Sequence, residues 1–235
     1  MGIAVAVVLA AGLGTRVGAD GNKAYLPLAG RSMLVWSLET ISRTPSVDRT
    51  VLVFRRGERD LAEQTIQGEL PDLSIDLVEG GQTRHGSEFN VLSALAAEID
   101  RGDVDVVAIH DAARPLADPA MFESAIALAR RHGGALPALP LTDVAHISAR
   151  GLEPADGALV RVQTPQAFRA GDLLHAYRCA ARDGFEGTDT SSCVEHYTDL
   201  DVRTFPGRSD NLKVTYAGDI AVAQRLLTDR PMAPR

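Results

Sequence analysis

The chain has 235 residues, 45% of them hydrophobic, enough for one α/β domain or two small ones around a large buried core. A net charge of -7 excludes a nonspecific nucleic-acid binder, so any phosphate site must be a local cationic patch in an acidic protein. Two cysteines, Cys179 and Cys193, make neither a disulfide framework nor a zinc site, and a reducing, cytoplasmic setting is expected.

The apolar run over 3–9 reads as a strand buried on both faces, because it is continuous rather than alternating. It lacks the basic flank of a signal peptide, and no stretch approaches the roughly 20 apolar residues of a membrane span, so no membrane partner is expected. Small residues follow, then Thr15, Arg16 and, after a short interval, Lys23. Glycines let a backbone approach a ligand closely, and two cations in the same loop suit a polyphosphate. A dinucleotide fingerprint needs a third glycine where Val17 stands; a P-loop needs glycine where Asn22 precedes Lys23. The bland alternative is a strand-to-helix turn with solvated charges.

Helical and strand patterns then alternate. A helix is predicted over 32–41, with Leu34, Leu38 and Ile41 on one face, then a strand over 50–54. An amphipathic helix over 58–67 ends near Gly68, and a strand over 73–78 runs into Glu79-Gly80-Gly81. A helix over 83–99 places Val91, Leu95 and Ile99 on one face, and an almost wholly apolar strand covers 104–109. Asp118-Pro119 is a helix start, and Arg130, Arg131 and His132 before Gly133-Gly134 are its end. A strand follows over 135–139, and further helices over 170–181 and 219–227. This alternation predicts an α/β fold: one Rossmann-like domain over 1–235, its mostly parallel sheet covered by helices on both faces. Between about 142 and 163 the rhythm changes to that of a β-hairpin arm, either a subunit contact that makes a homodimer or a hairpin folded onto its own domain.

Ligands of open α/β sheets gather beyond the carboxyl ends of the strands. The predicted strand ends supply Gly12, Gly14, Thr15, Arg16 and Lys23; Gly80, Gly81, Arg84 and Ser87; His110-Asp111-Ala112-Ala113-Arg114-Pro115; and Asp143. Asp210-Asn211-Leu212-Lys213 adds another acid and cation. Asp111, directly after its strand, suits Mg²⁺, with an N-cap or turn role as the alternative. Lys213 reads equally as a phosphate ligand or a solvated lysine. His110 is expected to satisfy a hydrogen bond, since phosphoryl transfer needs charge neutralisation more than a strong base. Ser87 and Thr188 have no His/Asp partner at a spacing that would make either a nucleophile, and Cys193 is expected to pack.

Leu9-Ala10-Ala11-Gly12-Leu13-Gly14-Thr15-Arg16 with Lys23 resembles the signature of the sugar-nucleotidyltransferase superfamily. Gly80-Gly81-Gln82-Thr83-Arg84, the His110–Pro115 stretch, Gln163-Thr164-Pro165-Gln166-Ala167-Phe168 and Asp210-Asn211-Leu212-Lys213-Val214-Thr215 narrow the resemblance to the methylerythritol phosphate cytidylyltransferases and the related ribitol phosphate cytidylyltransferases. It covers nearly the whole chain. It implies that a phosphate oxygen of an alditol phosphate attacks the α-phosphate of CTP with loss of pyrophosphate, a step of isoprenoid precursor synthesis when the acceptor is methylerythritol 4-phosphate. By the resemblance, Arg16, Lys23 and Lys213 are the catalytic cations, and Asp111 and Asp210 hold Mg²⁺. Ala10, Ala11, Gly12, Leu13, Gly14, Thr15, Gly81, Arg84, Ser87, Asp111 and Ala112 bind the nucleotide. The acceptor falls to Arg114, Asp143, Asp156, Thr164 and Thr188.

The acceptor half departs from the family pattern. Val144 stands where a hydroxyl follows the aspartate, and Asp156 where the arm carries an arginine. Thr188-Asp189-Thr190-Ser191-Ser192 loses one acid, at position 190. An aspartate in place of arginine would repel a phosphate dianion. Ribitol 5-phosphate, another polyol phosphate or a phosphonate is therefore the alternative acceptor. A noncatalytic CTP-binding paralogue is the alternative from another class.

Overall fold

The structure is a computed structural model that describes residues 2–12, 14, 21–142, 144–148, 151–154 and 159–229. The site candidates Leu13, Thr15, Arg16, Asp143 and Asp156 lie outside the described residues. In chain order, β1 (Ile3–Leu9) leads through a 3-10 turn at Lys23–Tyr25 to the small hairpin β2 (Pro27–Leu28) and β3 (Arg31–Ser32). Then come α1 (Met33–Ser42), β4 (Arg49–Phe54), α2 (Arg59–Glu69), β5 (Asp76–Glu79), α3 (Arg84–Arg101), β6 (Val104–Asp111), α4 (Pro119–His132) and β7 (Gly133–Pro140). The rest is β8 (Ala145–Ser148), β9 (Gly151–Pro154), β10 (Val160–Val162), β11 (Gln166–Arg169), α5 (Ala170–Asp183), α6 (Thr190–Tyr197), β12 (Asp201–Pro206) and α7 (Ala217–Thr228).

The continuous apolar run of β1 has the expected cause. Ala4, Ala6 and Val8 face one core and Val5 and Val7 the other, all of them fully buried. The first core is closed by α1 and α4 through Leu34, Leu38, Phe122 and Ile126. The second is closed by α3, α5 and α6 through Val91, Leu95, Tyr177 and Val194. β1 pairs in parallel with β4 and β6, and β4 with β5. The eight-stranded sheet is mostly parallel, as expected, but β11 enters antiparallel between β6 and β7, and β10 continues that antiparallel path along β7.

Several boundaries differ from the sequence reading. Helix α2 runs through Gly68 to Glu69, since a glycine inside a helix costs only about 1 kcal/mol. Strand β6 extends past Ile109, so Asp111 is its last residue, in register with Leu9, rather than the first residue of a loop. The hairpin β8–β9 is a two-stranded sheet of its own, but Val160 and Val162, read as part of the arm, belong to β10 in the main sheet. Strand β12, parallel to β7, was not expected; its Asp201-Val202-Arg203-Thr204 start alternates charge with apolar residues and is mostly exposed, as an edge strand can be.

Candidate active site

The loop after β1 is fastened at its base by Asn22. Its buried amide donates to the Ala10 carbonyl at 2.6 Å and to Glu58 Oε2 at 2.7 Å, and its Oδ1 accepts the Ala24 N–H at 3.0 Å. The residue that excludes a P-loop therefore closes this one. Gly14 has φ +64°, and a Cβ there would stand 2.8 Å from Lys23 Cγ, so both conformation and space require glycine. Packed along that glycine, the Lys23 stem sends Nζ to the Val214 carbonyl at 2.9 Å.

A second wall forms where β5 meets α3. A Cβ on Gly80 would lie 2.5 Å from that of Ala11, and one on Gly81 would lie 2.6 Å from the Gly86 carbonyl carbon. This close approach joins the wall to the loop after β1. Thr83 caps α3 by accepting the Gly86 N–H at 3.1 Å. Ser87 Oγ donates to the Thr83 carbonyl at 2.9 Å and accepts the Gly81 N–H at 3.1 Å, so its hydroxyl shapes the turn.

Between these walls stands Asp111, 7% exposed. Its Oδ2 accepts from Lys213 Nζ at 2.7 Å, and its Oδ1 from Arg84 Nε at 3.4 Å. Burial works to raise this carboxyl, but Arg84 and Lys213 outweigh it and hold it well below the usual carboxylate range. Asp111 is therefore an ionised, buried carboxylate flanked by two cations.

His110 meets its expectation. Nε2 lies 3.2 Å from the Arg114 carbonyl and Nδ1 3.0 Å from Thr164 Oγ1. A carbonyl only accepts, so Nε2 carries the hydrogen and the neutral ring accepts from Thr164 at Nδ1. Complete burial pushes its pKa down to about 4 and keeps it neutral. Thr164 Oγ1 in turn accepts the Asp111 N–H at 3.1 Å. Its hydroxyl is thus engaged in aligning the end of β6.

The segment that carries Lys213 is stapled to this strand end. Arg114 Nη1 donates to the Asn211 carbonyl at 2.7 Å, and Asn211 Nδ2 to the Thr164 carbonyl at 3.0 Å. Gln163 Nε2 donates to the Arg208 carbonyl at 2.8 Å.

Lys23, Arg84, Asp111, Arg114, Thr164 and Lys213 come together with Ala10, Ala11, Gly14, Gly81 and Ser87 on one edge of the sheet; Gly12 follows Ala11 in the chain, and the Ala112 N–H donates to the Leu9 carbonyl at 3.1 Å. Asp210 is engaged by Arg208 at 2.9 and 2.7 Å. Thr188 is exposed and reaches Ser192 Oγ at 3.5 Å. The sequence reading missed Glu88, Tyr177 and Thr190, which pack beneath Arg84, and the pairing of Gln166 with Asp189 at 2.9 Å. Only the missing acid at position 190 was a signal for this region.

A buried carboxylate flanked by cations at the carboxyl edge of a mostly parallel sheet suits a nucleotide's phosphates, and the chain is an α/β nucleotidyltransferase. The profile of the 2-C-methyl-D-erythritol 4-phosphate cytidylyltransferase family matches residues 4–229. The chain belongs to that family. The 2-C-methyl-D-erythritol 4-phosphate cytidylyltransferase of Cereibacter sphaeroides is 39% identical over 94% of this chain and 96% of its own length. Its namesake from Solibacter usitatus is 33% identical over 96% of each chain. The solved 4-diphosphocytidyl-2C-methyl-D-erythritol synthase of Anaerococcus prevotii matches with TM-score 0.82 at 28% identity, over 97% of this chain and 96% of that one.

Proposed function

We propose that the chain transfers CMP from CTP to 2-C-methyl-D-erythritol 4-phosphate and releases pyrophosphate, in isoprenoid precursor synthesis. The observation that carries the chemistry is Asp111, ionised and buried between Lys213 and Arg84. A phosphate oxygen of the acceptor attacks the α-phosphorus of CTP in line as the bond to pyrophosphate breaks. This reaction needs placement and charge neutralisation rather than a covalent intermediate. Arg16 and Lys23 take the triphosphate, Lys213 the α-phosphate, and the loop after β1 with the Gly81–Ser87 wall takes the nucleoside. Arg114, Asp143, Asp156, Thr164 and Thr188 are assigned to the acceptor side.

The residues fit a magnesium ion that arrives with the triphosphate. Magnesium needs only one or two carboxylates and completes its octahedron with phosphate oxygens and water. Asp111 offers one such carboxylate, while Asp210 is engaged by Arg208. Among the described residues no cluster of three or more metal-ligating side chains forms. Bound at Asp111, the ion would neutralise phosphate charge as pyrophosphate departs.

We place the enzyme in the cytoplasm as a homodimer joined through the arm. No helix among the described residues is long and apolar enough to cross a membrane. On the hairpin, Ile147 is 86% exposed, and Val160 and Val162 expose apolar surface near its root.

The test is pyrophosphate release from CTP and Mg²⁺ with a panel of methylerythritol 4-phosphate, ribitol 5-phosphate and a polyol phosphonate. Methylerythritol 4-phosphate is expected to give the highest kcat/KM, and no release with any acceptor overturns the reading. Val144 and Asp156 favour one second reading, another polyol phosphate as acceptor, which the same panel decides.

A further inference from the structure

Beneath Arg84 lies a carboxylate that the reaction does not use. Glu88, one helical turn along α3, is 1% exposed. It accepts from Arg84 Nη1 at 2.6 Å and from Tyr177 OH at 2.6 Å, and the Thr190 hydroxyl donates to the same oxygen as Arg84. An i, i+4 pair of this kind is ordinarily a solvated surface contact of a few tenths of a kcal/mol. Here Tyr177 from α5 and Thr190 from α6 close over it, and Arg84 reaches in the opposite direction to Asp111. A guanidinium presents its donors in a rigid fork, so the group that fixes one side of the fork sets where the other side points.

We propose that Glu88 is a positioning residue which holds Arg84 against Asp111 and so sets the guanidinium at the nucleotide site. Burial pushes the Glu88 carboxyl up while the Arg84 guanidinium beside it pulls it down, and Glu88 supplies from α3 the acid that position 190 lacks. Thr190 Oγ1 lies 3.3 Å from Arg84 Nη1, beside the Glu88 oxygen, so an aspartate at 190 would reach the same nitrogen. Position 190 is the first residue of α6, where an acid is favoured by the helix dipole.

The inference rests on the nucleotidyl-transfer reading for its kinetic effect and on geometry for its structural one. The experiment compares the full chain, Glu88→Gln and Glu88→Gln with Thr190→Asp. Glu88→Gln keeps the volume and removes the charge; it is expected to raise KM for CTP about tenfold, as loss of one charge-assisted bond would, with kcat changed far less. Adding Thr190→Asp is expected to restore the parental KM. Crystal structures of the variants are expected to show Arg84 beyond 4 Å from Asp111 in the single variant and returned in the double. An unchanged KM in Glu88→Gln, or a loss that Thr190→Asp does not recover, overturns the inference. If Glu88→Gln does not fold, the double variant decides: folded with parental KM supports the inference, unfolded overturns it. If the parent turns over no acceptor, the nucleotidyl-transfer reading fails, and the Arg84–Asp111 distance in Glu88→Gln alone decides this one: an unchanged distance overturns it.

Discussion

Asp111 and His110 are neighbours on one strand and are held in opposite charge states by different means. Two cations keep the aspartate ionised; burial and a fixed tautomer keep the histidine neutral. Because the folded pKa of His110 is about 4 and the unfolded value about 6.5, protons bind the unfolded chain preferentially between those limits. Stability should therefore fall as pH drops from about 6.5 to 4, by up to roughly 3 kcal/mol from this one group. Asp111, with its depressed pKa, adds stability that is present above its unfolded pKa and is lost as pH falls further, through its folded value. Urea titrations of the metal-free protein at stepped pH would check the sign. If Lys213 meets the α-phosphate as proposed, Lys213→Ala is expected to cost on the order of 10²–10³ in kcat, by analogy with loss of an oxyanion donor. Single-turnover kinetics would separate this loss from weakened CTP binding. At this scale the sequence was informative where charge sits at a strand end. Asp111 was visible because the strand before it is almost wholly apolar, whereas Lys213 read equally as a solvated lysine until the family resemblance was added. Glu88 was not, because an Arg84–Glu88 pair on a helix reads as a solvated face until α5 and α6 are laid over it.

Elements of high periodicity were legible, and those that owe their state to neighbours were not. The long apolar strands β1, β4 and β6 and the capped helices α3 and α4 follow from pattern and punctuation alone. Strands β10 and β11 are three and four residues long, separated by Pro165, and become strands because β7 and β6 offer them edges. The turn from β5 into α3 makes an element-scale expectation. Gly81→Ala would drive a methyl to 2.6 Å from the Gly86 backbone, so α3 must shift at its start. The expected cost is about 1–3 kcal/mol in chemical unfolding, with weakened CTP binding by calorimetry. Gly12→Ala, with no atom of the described residues within 4 Å of the added methyl, should leave stability nearly unchanged. For the arm, Ile147→Asp should shift the sedimentation profile from dimer to monomer while the far-ultraviolet spectrum is kept; a parental profile would remove the hairpin from the interface.

Across the whole molecule, the site is assembled from segments far apart in the chain. The Lys23–Val214 bond joins residues 191 positions apart, and the Lys213–Asp111 bond joins residues 102 apart. Ligand binding to such a site should stabilise the fold as a unit: CTP at 100 times its Kd is expected to add about 2.7 kcal/mol. A rise in melting temperature with CTP and Mg²⁺ would check this. The overall architecture was readable because alternating strands and helices permit few arrangements. The convergence of segments on Asp111 was readable only through the strand-end rule and the family resemblance, since nothing local in 210–215 points to residue 23 or 111. The Lys23 contact also sets an order of events. A chain emerging from the ribosome presents its loop after β1 long before the carbonyl that receives Lys23, 191 residues further on. The bond from Lys23 thus cannot form until residue 214 has been made, and an arrested chain ending before residue 211 is expected to bind CTP more weakly than the full chain, as calorimetry would show.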